Sequence, residues 1–145
     1  MQPITQSTSA ALPLQGVGER PRRVLILDDN ADAAYVLHQL LQFLGYDVIS
    51  FLSPHDALAC IEAFNPDACI SDLNMPMMNG YAFARALRAN PRFGKLLLIA
   101  HSGYDSAEHR KAAFDAGFDK YLSKSVGAEI IVQSLGPCTF SPSTK

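Results

Sequence analysis

Short, continuously apolar runs recur between segments of helical period, and several stop at a residue able to do chemistry. Val24-Leu25-Ile26-Leu27 runs into Asp28-Asp29-Asn30, and Ala68-Cys69-Ile70-Ser71 runs into Asp72. The run over 96–100 leads to Ser102, and a last one over 118–123 ends at Lys124. Runs of this length, apolar without alternation, suit strands buried on both faces.

The segments between them read as helices. Ala33, Val36, Leu37, Leu40 and Leu44 fall at helical spacing, and Gly45 can end that helix. A second strand is expected over 46–52. Ser53 then serves as an N-cap with Pro54 at the first helical position and Asp56 near the dipole's positive end. That helix carries Ala57, Leu58 and Ile61 and is stopped by Pro66. A loop with Met75-Pro76 and Asn79-Gly80 leads to a helix over 81–89. Asp105 with Glu108 resembles a capped start for a helix that ends at Ala116, with Gly117 as its C-cap. The final helix, over 126–135, places Ala128, Ile131, Val132 and Leu135 on one face.

Five strands alternating with five helices imply an α/β fold with a parallel sheet covered on both faces. Right-handed crossovers make it doubly wound. Ligands in such folds sit beyond the carboxyl ends of the strands, where the strand order reverses. The 145 residues suffice for one domain, expected over 22–135. A leader over 1–21, rich in Gln, Ser, Thr, Pro and Gly, and a tail over 136–145 are expected to be flexible.

Composition narrows the function classes. A net charge of −2 provides no strong field for nucleic acid or an anionic membrane. The local cluster Arg20, Arg22 and Arg23 reads as a solubilising terminus. No apolar run is long enough to span a bilayer, and the first residues lack the basic-then-apolar signature of a secretory signal. Three cysteines, at spacings that fit neither zinc nor a disulfide framework, point to a reducing, cytoplasmic setting. Cys60 and Cys69 read as small core hydrophobes.

On this topology Asp28, Asp29, Asp72, Ser102 and Lys124 converge at one edge of the sheet. Neighbouring carboxylates raise one another's pKa unless a cation intervenes. Mg²⁺ suits an all-oxygen set that leaves room for waters and phosphate oxygens. A carboxylate there can attack phosphorus, while Lys124 neutralises charge and Ser102 donates to a phosphate oxygen.

The motifs Leu27-Asp28-Asp29-Asn30, Asp72-Leu73-Asn74-Met75-Pro76 with Gly80, Ala100-His101-Ser102-Gly103 and Tyr121-Leu122-Ser123-Lys124, in this order, resemble response-regulator receiver domains of the CheY-like type. The resemblance covers 22–135. The stretches Ser102-Gly103-Tyr104-Asp105 and Asp115-Ala116-Gly117-Phe118-Asp119 are especially similar to receivers of hybrid histidine kinases. The resemblance implies a strand order 2-1-3-4-5 and Asp72 as phosphoacceptor. It implies Mg²⁺ held by Asp28, Asp29, Asp72 and the backbone carbonyl of Asn74. Ser102 would be the switch hydroxyl, Lys124 the phosphate-contacting lysine and Tyr121 the switch aromatic. The partners implied are a histidine kinase or histidine phosphotransfer protein and a downstream protein target. Asn74 and Tyr104 occupy positions that flank the path of attacking water, and bulky Tyr104 is expected to slow autodephosphorylation.

This chain departs from the family pattern at Ser125, where most members have Pro in a cis bond. A trans bond or a strained loop is expected there instead. The last helix, with Gly127 near its start, is expected to dock weakly. His101 should point away from the acidic pocket, on the other side of its strand from Ser102. His38, His55 and His109, and likewise Asp32 and Asp47, are expected to be solvated. Met77 and Met78 read equally as exposed contacts or as packing.

Two rivals remain open at this stage. One is a phosphorylation-independent interaction module of the same fold. The other is a Mg²⁺-dependent phosphatase with an aspartyl nucleophile, for which Asp28-Asp29-Asn30-Ala31-Asp32 is a poor match to the Asp-x-Asp-x-Thr pattern of those enzymes. The reading favoured is a phosphoacceptor switch, not an enzyme acting on other substrates. No output domain is recognised after Leu135, so either a stand-alone receiver or a piece of a larger regulator is expected.

Overall fold

Helix caps set the element boundaries. Asn30, Ser53, Asn79 and Ser106 each accept a hydrogen bond from the backbone N–H three residues on, at Ala33, Asp56, Ala82 and His109. Each satisfies a donor that the first helical turn leaves unpaired. Asn65 and Gly117 close two helices in the left-handed conformation.

The computed structural model describes residues 20–140. Its elements are β1 (Arg20–Pro21), β2 (Arg23–Leu27), α1 (Ala31–Phe43), β3 (Asp47–Phe51), α2 (Pro54–Phe64), β4 (Ala68–Ser71), α3 (Gly80–Arg88), a 3₁₀ turn (Pro91–Phe93), β5 (Leu97–Ser102), α4 (Ala107–Ala116), β6 (Lys120–Ser123), α5 (Ala128–Leu135) and β7 (Thr139–Phe140). A five-stranded parallel sheet runs β3-β2-β4-β5-β6. Counted from Arg23–Leu27, this is the expected order 2-1-3-4-5. The direction of winding reverses between β2 and β4, which places the switch point there.

The apolar strands divide their side chains between two layers, as the two-residue period dictates. Leu25, Leu27, Cys69, Leu98 and Ala100 pack with Ile61, Phe83, Leu87 and Ala113 of α2, α3 and α4. Val24, Ile26, Ile70 and Ile99 pack with Leu37 and Leu41 of α1 and with Ile131 and Leu135 of α5. Truncating one such leucine to alanine costs about 2–5 kcal/mol.

Several details depart from expectation. The buried face of α1 is Ala34, Leu37 and Leu41, while Val36 and Leu44 are exposed. The apolar residues of α1 exceed one stripe, so spacing alone admitted two faces. Ser106, not Asp105, caps α4, because Asp105 turns to Arg110 at 2.8 Å. Cys60 is exposed on the outer side of α2, whereas Cys69 is buried. His38 is half-buried, its Nδ1 2.6 Å from Ser50 Oγ. Helix α5 docks through a narrow face: Ile131 and Leu135 are buried, and just beyond the helix Tyr46 donates its hydroxyl to Gly136 O at 2.6 Å.

Residues at the inner edges of both expected flexible segments are ordered. Arg20–Pro21 pairs antiparallel with Thr139–Phe140, and Arg22 N–H donates to Cys138 O at 2.7 Å. The arginine cluster is structural: Arg20 forms a two-point pair with Asp67, and Arg23 donates to Phe64 O. The remainder of the expected leader and tail, 1–19 and 141–145, lies outside the described residues. Among the described residues no helix is long and apolar enough to cross a membrane.

Candidate functional site

Strand register brings the acidic groups together. Leu27 lies beside both Phe51 and Ser71 in the sheet. One residue further on, Asp28 N–H donates to Phe51 O at 3.1 Å and Asp72 N–H to Leu27 O at 2.8 Å. The ladder therefore continues one step beyond the strands and sets Asp28 and Asp72 side by side at the switch point. Both are buried, and Asp29 beside them is exposed. Carboxylate oxygens of Asp28, Asp29 and Asp72 all lie within 4.8 Å of one another.

Each buried carboxylate is oriented by backbone. Asp28 Oδ1 accepts from Asn30 N–H at 2.9 Å, so the residue that caps α1 also aims Asp28. Asp72 Oδ1 accepts from Leu73 N–H at 2.8 Å, and the Asn74 N–H also points to this carboxylate. Gly80, at the start of α3, sits against Asp72 O and Leu73 Cα, where no Cβ fits.

Lys124 reaches across from the end of β6. Its Nζ lies 2.7 Å from Asp28 Oδ2 and 3.5 Å from Asp72 Oδ2. Its backbone N–H donates to Ser102 O at 2.8 Å. Ser125, which follows it, bonds through N–H and hydroxyl to Ser123 Oγ at 3.2 and 2.9 Å. This small turn leaves Lys124 aimed at the acids without a proline.

The electrostatics follow from this packing. Burial raises the Asp72 pKa and Asp28 adds to the rise, while Lys124 opposes it. Burial works against the charge on Lys124, but the two carboxylates outweigh it and hold its pKa above the ordinary value. A dense acidic group with a single ammonium remains short of positive charge. Its donors are hard carboxylate oxygens without histidine or cysteine, and this set fits Mg²⁺.

Ser102 is fully buried at the end of β5, and its Oγ accepts from Tyr104 N–H at 3.1 Å. Tyr121 pairs with Ala100 across β5 and β6; the small residue leaves room for the ring, which is buried. Its hydroxyl donates to Tyr104 O. Tyr104 itself is 56% exposed and stacks on His109, ring centroids 5.1 Å apart.

His101 lies on the opposite side of β5 from Ser102, half-buried in a groove with Val36, Leu37, Val126 and Ile131. Burial, helped by the charge of Lys124, lowers its pKa to about 4. His109 is engaged, bonded to Ser106 as well as stacked. His55, Asp32 and Asp47 are exposed, and Asp47 lies 3.5 Å from Arg23. Met75 and half-buried Met78 pack into the core, while Met77 is exposed.

The structure thus gathers Asp28, Asp29, Asp72 and Lys124 in one cluster, with Ser102 and Tyr121 on the adjoining strands. Sequence reasoning missed Asn30, whose N–H orients Asp28. The signal was available, since Asn30 directly precedes a helix.

A family model for the response regulator receiver domain matches residues 24–136. Protein RcaC of Microchaete diplosiphon is 34% identical over 113 residues, 77% of this chain and 17% of that protein. The virulence sensor protein BvgS of Bordetella bronchiseptica is 34% identical over 141 residues, 90% of this chain and 11% of that protein. The chain therefore spans only a small part of these relatives. Among solved structures, the Vibrio cholerae chemotaxis protein CheY4 superposes with a TM-score of 0.76 at 27% identity, covering 80% of this chain and 97% of that one.

Proposed function

This chain belongs to the response regulator receiver domain family, and on that premise we propose that it takes a phosphoryl group onto Asp72 from a histidine kinase or histidine phosphotransfer protein. The observation that carries the reading is the juxtaposition of Asp72 with two further carboxylates and the Lys124 ammonium at the sheet's switch point. Asp28, Asp29, Asp72 and the backbone carbonyl of Asn74 would hold Mg²⁺. When bound, that ion supplies positive charge against the phosphoryl oxygens.

This chain's residues account for the remaining steps. A carboxylate oxygen of Asp72 attacks phosphorus in line with the donor nitrogen. The O–P bond forms as the N–P bond breaks, and the imidazole leaves with the electron pair. Lys124 moves from Asp28 toward a phosphoryl oxygen. Ser102, whose oxygen accepts from Tyr104 N–H, keeps its own proton to donate to a second one. The added charge alters the β5–α4 loop and the surface of α4, β6 and α5, through which a downstream protein is engaged. The reaction is confined to the chain's own aspartate, and the free thiols of Cys60, Cys69 and Cys138 suit a cytoplasmic setting.

Fluorine NMR with beryllofluoride tests the reading against a phosphorylation-independent module. Protein-bound fluoride resonances are expected only with Mg²⁺ present and Asp72 intact. Their absence from the wild-type protein in saturating Mg²⁺ overturns it.

A further inference from the structure

The β5–α4 loop is held by side chains that phosphoryl transfer does not itself require. Arg110, in the second turn of α4, places its guanidinium 4.9 Å from the centroid of the Tyr121 ring. The same guanidinium turns back to Asp105, at 2.8 Å through Nη2 and 3.0 Å through Nε. A cation near the positive end of a helix dipole gains nothing from the helix. Its partners here are one carboxylate and one aromatic face, and both belong to the apparatus around Tyr121.

The contacts form a continuous path. Ser102 Oγ accepts from Tyr104 N–H, and Tyr104 O accepts from the Tyr121 hydroxyl. The Tyr121 ring lies beneath Arg110, and Arg110 is tied to Asp105, the residue after Tyr104. The Tyr104 ring stacks on His109, the neighbour of Arg110, with planes 9° apart. Loop, helix and strand are thereby closed into one ring of interactions around the switch tyrosine.

We propose that Arg110 is a positioning residue that holds Tyr121 inward before Asp72 is modified. The proposal rests on the phosphoacceptor reading and adds to it a chain-specific bias in the resting state. A tyrosine already inward leaves phosphorylation less to shift, because a modification moves an equilibrium only by its differential effect on the two states. Arg110 and Asp105 are both about half exposed, so each contact is modest and the bias is small enough to reverse.

NMR of the full chain with labelled tyrosine, with Tyr121 assigned through Tyr121→Phe, measures the side-chain rotamer ratio with and without beryllofluoride and Mg²⁺. Arg110→Ala and Arg110→Gln are expected to lower the inward-to-outward ratio of the untreated protein by about two- to fivefold, the range expected for one exposed cation–π contact. Beryllofluoride should restore it. Arg110→Lys, which keeps the cation, should recover part of the loss where a merely structural arginine would not. An unchanged ratio in either Arg110→Ala or Arg110→Gln overturns the proposal. Failure of the underlying reading appears separately, as wild-type protein that binds no beryllofluoride at all.

Discussion

Lys124 Nζ lies 2.7 Å from Asp28 Oδ2 but 3.5 Å from Asp72 Oδ2, so the ammonium is tied more closely to the carboxylate after β2 than to the one proposed to accept phosphate. Asp72 thereby keeps an oxygen less encumbered for attack, while its charge is still offset from nearby. The arrangement also means that Lys124 competes with any metal ion for Asp28.

Removing that competitor should tighten metal binding. Lys124→Ala is expected to bind Mg²⁺ about three- to tenfold more tightly, since a unit charge within a few ångströms of the ion is lost. The same variant should be slow in taking up phosphate. Calorimetric titration with Mg²⁺ checks the first statement, and weaker binding would contradict it.

Asp67 carries a pH-dependent share of stability remote from the site. Burial pushes its pKa up, but the Arg20 guanidinium and the Arg23 N–H outweigh this and hold it below the ordinary value. A folded-state pKa below the unfolded one stabilises at neutral pH, and that contribution is lost as pH falls through the folded value. Asp67→Asn should therefore cost about 1–2 kcal/mol at neutral pH. Urea denaturation should show the gap closing as pH drops from about 5 toward about 2. A gap that widened on acidification would refute the assignment.

Gly80 is required by space. An added Cβ would meet Asp72 O at 2.3 Å and Leu73 Cα at 2.8 Å, both backbone atoms that cannot swing aside. Gly80→Ala should lose about 2–3 kcal/mol and displace Asp72. A denaturant midpoint equal to that of the wild type would show that the loop yields freely.

The family position of Tyr104 implies that its ring shields the approach to the site. It stands two residues after Ser102, exposed and stacked on His109. In Tyr104→Ala the backbone carbonyl that holds Tyr121 remains, while the ring expected to crowd incoming water is gone. Aspartyl-phosphate decay, followed after removal of the donor, should be severalfold faster. Unchanged or slower decay counts against the shielding role.

Much of this was legible in the chain. The apolar strand cores and the residues at the sheet's carboxyl edge follow from runs such as Val24-Leu25-Ile26-Leu27 ending at Asp28, and the strand order from the family resemblance. Local signals with a stereochemical cause also held, as with Ser53 and Pro54 at the start of α2 and Gly117 at the end of α4. Interactions between distant polar side chains were not legible. Arg88 donates to Phe93 O, Leu96 O, Gly117 O and the Asp119 carboxylate, tying the α3–β5 and α4–β6 connections together. Nothing in the spacing of Arg88 announces those acceptors. Arg20 with Asp67 is similar, being set by tertiary register across 47 positions. The inner face of α1 was not readable from spacing because apolar residues lie on more than one side of that helix. Within the site, residue identities were readable, but the preference of Lys124 for Asp28 came only from side-chain geometry.

Chemical mapping of the acyl phosphate tests the central claim most directly. Protein treated with acetyl phosphate and Mg²⁺ is reduced with borohydride, which converts a phosphorylated aspartate to homoserine, and the peptides are sequenced by mass spectrometry. Conversion is expected at position 72 alone and is expected to vanish when Mg²⁺ is chelated. Conversion at Asp28 or Asp29, or none anywhere in the chain, would contradict the account.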